Sequence, residues 1–467
     1  MKTGLPNAPE LFIRLGTHAE KEYVEKTVTF LDGLVVGANL FEATPGATAS
    51  LIVKFQGEAK STPVVIDPMT YAFGSYIDQE GVHRTDLDWI MSDQKLKKAE
   101  AARTGQTHVR AVKRSYGALA EALGGVFAVA LQREQALSPE DFSSPATVAQ
   151  TAKSVLTYQW TRVEHELKSD PVFADVSEHA PRPPFLMAPY FYIDRTAWQA
   201  WLETVLGLAR ASAAQGFAAP VHALICVDDD FLENKTFLDT VVKQLPLTGV
   251  KGVWLWFSRF AEELASEKRL AEYRAFVGAL AEAGLRVYTM HGGFFSLGLS
   301  KHGLSGISHG IGYGEQKDVV PVIGQSTPTV RYYLPPLRKR LGVPDIQICF
   351  KDLGVVDATT FFNTICDCVV CKGVIGSDLA NFREFGEMHY STVKSKRMAQ
   401  TPAAAKRCRY HFLLRRISER DWVRKASLSD VVAALGASRS AWAAPVDARR
   451  LDRTHVAQLE RWMAVLA

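Results

Sequence analysis

Long apolar runs are missing from this sequence. No stretch approaches the ~18 apolar residues that span a bilayer, and Met1 to Arg14 holds no apolar segment of the kind a secretory leader carries. A cytoplasmic protein with no membrane contact is the expectation. Cysteine is scarce, with 6 in 467 residues, and three of these fall between Cys366 and Cys371. That clustering argues against a secreted disulfide framework and for metal binding in a reducing compartment. Charge of one sign is lacking too: a formal net charge of +4 identifies no partner. Internal repeats and low-complexity tracts are absent, which excludes solenoids and extended disordered tails.

What is present is the material of a packed protein. With 47% apolar and 22% charged residues, the chain can bury a full-sized core. Eight short apolar runs read as strands: Leu34–Phe41, Val64–Ile66, Phe185–Tyr192, Ala223–Val227, Gly252–Phe257, Arg286–Met290, Gly306–Ile311 and Ile346–Phe350. Helical patterns separate them at Trp198–Ala214, Asn234–Gln244 and Glu262–Ala283, the last closed by Gly284. This alternation predicts a (β/α)8 barrel, the TIM-barrel architecture, with a doubly wound open sheet as the alternative.

Two regions break the rhythm. From about residue 86 to 170 the pattern predicts only helices (Gln94–Ala102, Thr107–Leu123, Pro145–Lys168), an insertion between the second and third predicted strands. Beyond Cys371 the chain reads as helical to its end: Asp378–Met398, Pro402–Arg424, Ser427–Leu435 and His455–Ala467, with an Ala/Ser/Pro linker over Gly436–Ala448. The expected organisation is a barrel over 1–365, a zinc-binding helical subdomain over 366–425 and a helical tail over 426–467.

Cys366-Asp-Cys368-Val-Val-Cys371 places three thiols in one tight loop, from which three thiolates can reach one ion at tetrahedral angles. Zinc is the expected ion, in a structural role. His389, His411 and Cys408 are the candidates for the fourth ligand. Cys226 and Cys349 sit inside apolar runs and read as core.

Carboxylates and histidines gather at predicted strand ends, where barrel active sites lie. Asp67 ends an apolar run before Pro68, a place where an aspartate also forms ordinary turns. Asp228, Asp229 and Asp230 either supply a catalytic carboxylate or cap the following helix. His291-Gly292-Gly293 and His309-Gly310 pair a histidine with small residues that leave room for a ligand. Trp254 and Trp256 share one strand face and read as lumen packing. Arg338-Lys339-Arg340 and the series Arg407, Arg409, Arg415, Arg416, Arg420, Arg424, Lys425 suit either phosphate contacts or a solvated face.

The CxCxxC cluster followed by histidine, directly behind an eight-strand α/β pattern, resembles the tRNA-guanine transglycosylase superfamily. Its members exchange guanine for 7-deazaguanine bases in tRNA, and relatives do so in DNA. The likeness spans roughly Leu34 to Arg424, with the metal motif as its specific part. Arg409-Tyr-His411-Phe-Leu-Leu resembles the family's ligand-bearing helix, so the resemblance points to His411; the longer spacing from Cys371 keeps His389 open. It also implies Asp67 as acid/base at the exchanged purine, and Tyr190, Tyr192, Met290, His291, Gly292 and Gly293 around the base. In the family an aspartate on the next strand forms a covalent bond to the ribose. Here that segment reads Gly306-Ile-Ser308-His309-Gly310-Ile-Gly312-Tyr-Gly314-Glu315, with no carboxylate on the strand. Glu315, Asp228 and His309 are the candidate substitutes. The implied partners are a nucleic acid (tRNA or DNA) and a purine or 7-deazapurine base, with a second copy or another protein also admitted. The alternative is a relative that has lost the chemistry and serves as a nucleic-acid-binding or assembly protein.

Overall fold

The computed structural model describes residues 8–16, 20–57, 62–78, 80–96, 98–171, 174–312, 314–320, 329–391 and 397–467. Its centre is a nearly closed barrel of eight parallel strands: β1 (Glu10–Leu15), β2 (Gly33–Gly37), β3 (Val64–Asp67), β4 in two pieces (Leu186–Met187 and Tyr192–Ile193), β5 (Val221–Asp228), β6 (Gly252–Ser258), β7 (Arg286–Thr289) and β8 (Leu304–His309). Their order is β3-β2-β1-β8-β7-β6-β5-β4. Strands β2, β3, β5 and β6 are buried along their whole length, as a sheet covered on both faces requires.

The ring does not close by a backbone ladder. Between β3 and β4 a side chain does the joining: the Thr70 hydroxyl donates to the Tyr190 carbonyl (2.7 Å) and accepts from the Tyr190 amide (2.9 Å). The register of β4 against β5 shifts by one residue between its two pieces, from Met187 opposite His222 to Tyr192 opposite Cys226. That extra residue is a bulge, which turns Tyr190 toward the seam.

Aromatic rings fill the lower lumen. Trp254 stacks on Tyr288 at 4.6 Å, His222 on Phe185 at 4.0 Å, and Phe12 meets Trp254 edge-on at 5.5 Å. Such rings fit only where a neighbour is small: a Cβ on Gly33 would lie 2.2 Å from the Phe12 ring. Trp254 is therefore lumen packing, as expected.

The expected strand set needs two corrections. The barrel begins one strand earlier, at β1, and Ile346–Phe350 is not a strand: Val343–Gln347 forms a short helix with Pro344 in its first turn. Phe41 of the first predicted strand falls in a helix, Ala38–Ala43. In the insertion, Met91–Lys95 and His108–Val112 pair as an antiparallel hairpin where helices were expected. Helices follow at Arg114–Leu123, Gly125–Arg133 and Pro145–Ser169.

The C-terminal third differs as well. In place of a helix over Asp378–Met398 there is a 3-10 segment, Leu379–Gly386, and a hairpin, Met388–Ser391 with Arg397–Gln400; 392–396 lies outside the described residues. The helix Pro402–Lys425 forms as expected, with Thr401 as its N-cap. The expected linker is itself largely helical (Leu428–Ala441 and Ala443–Asp447). The last helix, Thr454–Leu466, docks on the barrel: Trp462 Nε1 donates to the Glu262 carbonyl (3.0 Å) and Gln458 Nε2 to the Leu337 carbonyl (2.7 Å). No described helix is long and apolar enough to cross a membrane.

Candidate functional site: a Cys3His cluster beside the barrel mouth

Cys368 caps the helix Val369–Ile375, which brings Cys371 one turn away from it, while Cys366 lies just before the cap. His411 comes from the third turn of Pro402–Lys425 and is fully buried. The four ligand atoms lie within 4.8 Å of one another, with His411 Nδ1 at 3.9, 3.4 and 3.4 Å from the sulfurs of Cys366, Cys368 and Cys371. His411 Nε2 donates to the Tyr333 carbonyl at 2.6 Å, which leaves Nδ1 as a lone pair aimed at the three sulfurs. Tyr332 stacks on the imidazole at 4.1 Å and its hydroxyl meets the Cys371 sulfur at 3.2 Å. The set can hold a metal ion. His389 sits on the hairpin instead, and the Cys408 thiol donates to the Phe385 carbonyl (3.3 Å); neither joins the cluster.

At the strand ends Asp67 is fully buried and held by three donors: Arg14 Nη2 (2.9 Å), the Tyr190 hydroxyl (2.8 Å) and the Met69 amide (3.1 Å). The Met69 bond is an aspartate turn, while Arg14 reaches Asp67 from β1, two strands away in the sheet. The other Arg14 amine points at the Met290 sulfur (2.7 Å). Tyr71 stacks on Tyr190 at 5.6 Å and meets Trp256 edge-on at 5.0 Å. Asp67, Tyr190, Met290, Tyr71 and Arg14 thus come together and fill the mouth layer. Arg14 went unnoticed in the sequence because β1 did. The short apolar run Leu11-Phe12-Ile13 was its only signal.

Asp228 forms a second cluster, at the end of β5. It accepts from Arg259 Nη2 (2.8 Å) and from the Tyr192 hydroxyl. Burial raises its carboxyl above the ordinary range, and the Tyr192 and Arg259 contacts only partly offset this. Arg259 holds a left-handed backbone (φ 65°), which a non-glycine residue adopts at a cost. Asp229 pairs with Arg269, and Asp230 with Arg195 at 3.2 Å; the Asp228 side chain makes no capping bond to the following 3-10 turn.

The other residues expected at the mouth are engaged by the protein itself. Ser308 pairs in register with the lumen residue Phe12 and His309 with the outward Ile13. His309 therefore faces the long helix, 5.2 Å from the Phe412 ring, with Nδ1 on the Gly310 carbonyl (2.9 Å). Burial, with the Arg416 charge adding to it, lowers its pKa to about 4, which favours the neutral ring on this outward face. Glu315 is taken up by Arg340 (3.1 Å) and Arg416. Burial alone would raise its pKa, but these two guanidiniums bring it below the ordinary value. The space at the glycines is filled by protein: a Cβ on Gly292 would meet Thr289 at 2.4 Å, and one on Gly293 the Glu262 carboxylate at 2.7 Å. His291 rests its Nδ1 on the Gly314 carbonyl at 3.0 Å, and burial, with Arg14 and Lys317 nearby, holds it well below its ordinary pKa. The loop over 310–314 folds on itself, with Gly314 against the Gly310 backbone, and Tyr313 lies outside the described residues.

No family model and no curated protein matches this sequence.

The basic series also has a different use. Arg338 binds Glu419 (3.0 Å), Lys339 binds Glu263 (3.4 Å), Arg416 binds Glu315 and Glu419, and Arg420 and Arg424 both bind Asp32. Arg340 lies 3.7 Å over the Phe412 ring. Arg338, Arg416, Arg420 and Arg424 thus tie the long helix to the barrel, and Lys339 is ion-paired within the protein.

Proposed function

We propose that this chain is a TIM barrel of the transglycosylase type, braced by zinc, which recognises a purine or 7-deazapurine base in nucleic acid without exchanging it through a covalent aspartyl bond. One observation carries the reading: β8 presents Ser308 and an outward, neutral His309 where the resemblance calls for a nucleophilic carboxylate, and Glu315 is neutralised by two arginines. An oxocarbenium-like centre gains from fixed negative charge, which β8 does not supply. Asp67 keeps its place, but as an acceptor locked by Arg14, Tyr190 and Met69. For a base to lie between the fully buried Met290 and Tyr190 the packed mouth layer must open, which frees the Arg14 amine now resting on sulfur.

Zinc suits the Cys3His set. Zn–S near ~2.3 Å and Zn–N near ~2.0 Å at tetrahedral angles put sulfur and nitrogen about 3.5 Å apart, close to the distances here. Four protein ligands leave no open position, so the ion would brace the fold rather than activate water. Clustered thiols of this kind support a reducing, cytoplasmic setting.

The exchange reading survives through Asp228, whose raised pKa and strained Arg259 partner are features of reactive sites. Incubating the protein with tRNA or duplex DNA and labelled guanine or 7-deazaguanine decides between them. Binding without incorporation is the expected outcome. Base-dependent incorporation that Asp228→Asn abolishes would establish exchange instead.

A further inference from the structure

Between Cys371 and His411 the chain puts out the hairpin Met388–Ser391 with Arg397–Gln400. A two-stranded ribbon has no core of its own, and this one is fixed at its root. The Gln400 side chain donates to the Val330 carbonyl (2.8 Å) and the Phe385 carbonyl (3.3 Å) and accepts from the Val330 amide (2.9 Å); the Thr401 amide donates to the Glu387 carbonyl (3.0 Å). The register places Tyr390 directly opposite Met398, with Met388 two residues back on the same face.

All three stand in solvent, at 40% exposure for Met388, 58% for Tyr390 and 57% for Met398. Single exposed apolar residues are ordinary, but three on one face of a firmly rooted ribbon form a contact patch. Charge selects what the patch contacts. From Met388 to Gln400 the chain carries no aspartate or glutamate, while Lys394, Lys396 and Arg397 follow closely on one another; Lys406, Arg407 and Arg416 beyond it are ion-paired. The acids just before it, Glu384 and Glu387, are engaged by Arg407. An exposed aromatic flanked by thioethers in an acid-free, basic stretch suits a polyanion that also offers flat apolar faces: bases on a phosphate backbone.

We propose that this hairpin is a nucleic-acid contact, with Tyr390 stacking on an unpaired base and Met388 and Met398 packing beside it. The proposal rests on the nucleic-acid reading above but uses a surface separate from the barrel mouth.

Anisotropy of a labelled, mixed-sequence single-stranded oligonucleotide, titrated with the full zinc-loaded chain over a range of salt, tests it. Affinity should fall log-linearly with salt. The double variant Tyr390→Ala with Met398→Ser should bind about fivefold or more weakly, with zinc content and circular dichroism unchanged, and Tyr390→Phe should retain binding. Undiminished binding by the double variant would overturn the hairpin contact and leave the nucleic-acid reading standing. No binding by the wild type, in either RNA or DNA form, would overturn both. Self-association in light scattering that the double variant abolishes would make the patch an interface between copies and overturn the proposal.

Discussion

Glu419 is the residue on which the charged interior turns. Its carboxylate is 2% exposed and accepts from the Tyr333 hydroxyl (2.9 and 3.1 Å) and from Arg338 (3.0 Å), while Arg416 Nη1 lies 3.1 Å away. Removing one partner of a buried ion pair strands the other, so Glu419→Gln should cost about 3–5 kcal/mol, read as a lower denaturant midpoint at unchanged slope. His222 makes the opposite kind of statement. Stacked on Phe185 in the barrel floor, it is held by burial at a pKa of about 3, with Arg286 adding a little. The unfolded imidazole protonates near ~6.5 while the folded one does not, so the unfolded state binds more protons and stability falls as pH drops below that value. Relative to His222→Phe, the wild type should lose about 1–2 kcal/mol between pH 6.5 and 5, measured by urea unfolding at each pH. Parallel pH profiles would refute it.

On the β3 side, the backbone of β4 is held by the Thr70 hydroxyl. Thr70 both donates to and accepts from the buried Tyr190 backbone, so Thr70→Val leaves an amide and a carbonyl unsatisfied and should destabilise by about 2–4 kcal/mol. Amide exchange should quicken at Tyr190 and leave β6 unaffected; uniform exchange would mean the seam is not closed this way. The elements misread from sequence have similar local causes. Ile346–Phe350 alternates like a strand, yet Pro344 and Asp345 sit where a helix starts, and five residues are too few for periodicity to choose. Asp378–Met398 holds its stop signal inside it: Gly386 ends the 3-10 segment, and the hairpin that follows turns the chain back toward His411.

Across the molecule, the Cys3His cluster, the ion network and the last helix act on the same joint. His411 lies on the helix that carries Arg416, Glu419 and Arg420 against the barrel, and Trp462 secures the tail to the Glu262 carbonyl beneath it. About 1 zinc per chain is expected by metal analysis. Chelation should lower the melting temperature with one cooperative transition, and Cys368→Ala should reproduce that loss while His389→Ala does not. A metal-free protein of undiminished stability would remove zinc from the account.

The amino-acid sequence alone determined the alternation of strands and helices, the three clustered thiols and the carboxylates at strand ends, because periodicity, cap residues and short-range spacing are local properties. It also carried Asp67 and His411 as candidates. Tertiary structure decided the rest. Which way His309 points depends on pairing with β1, 296 residues away in the chain from its partner Ile13. Whether Arg338 or Arg416 meets phosphate or carboxylate depends on where Glu419 and Glu315 arrive. Whether a glycine opens a pocket depends on what already fills the space beside it. Each of these is set by contacts between segments far apart in sequence, and no local pattern encodes them.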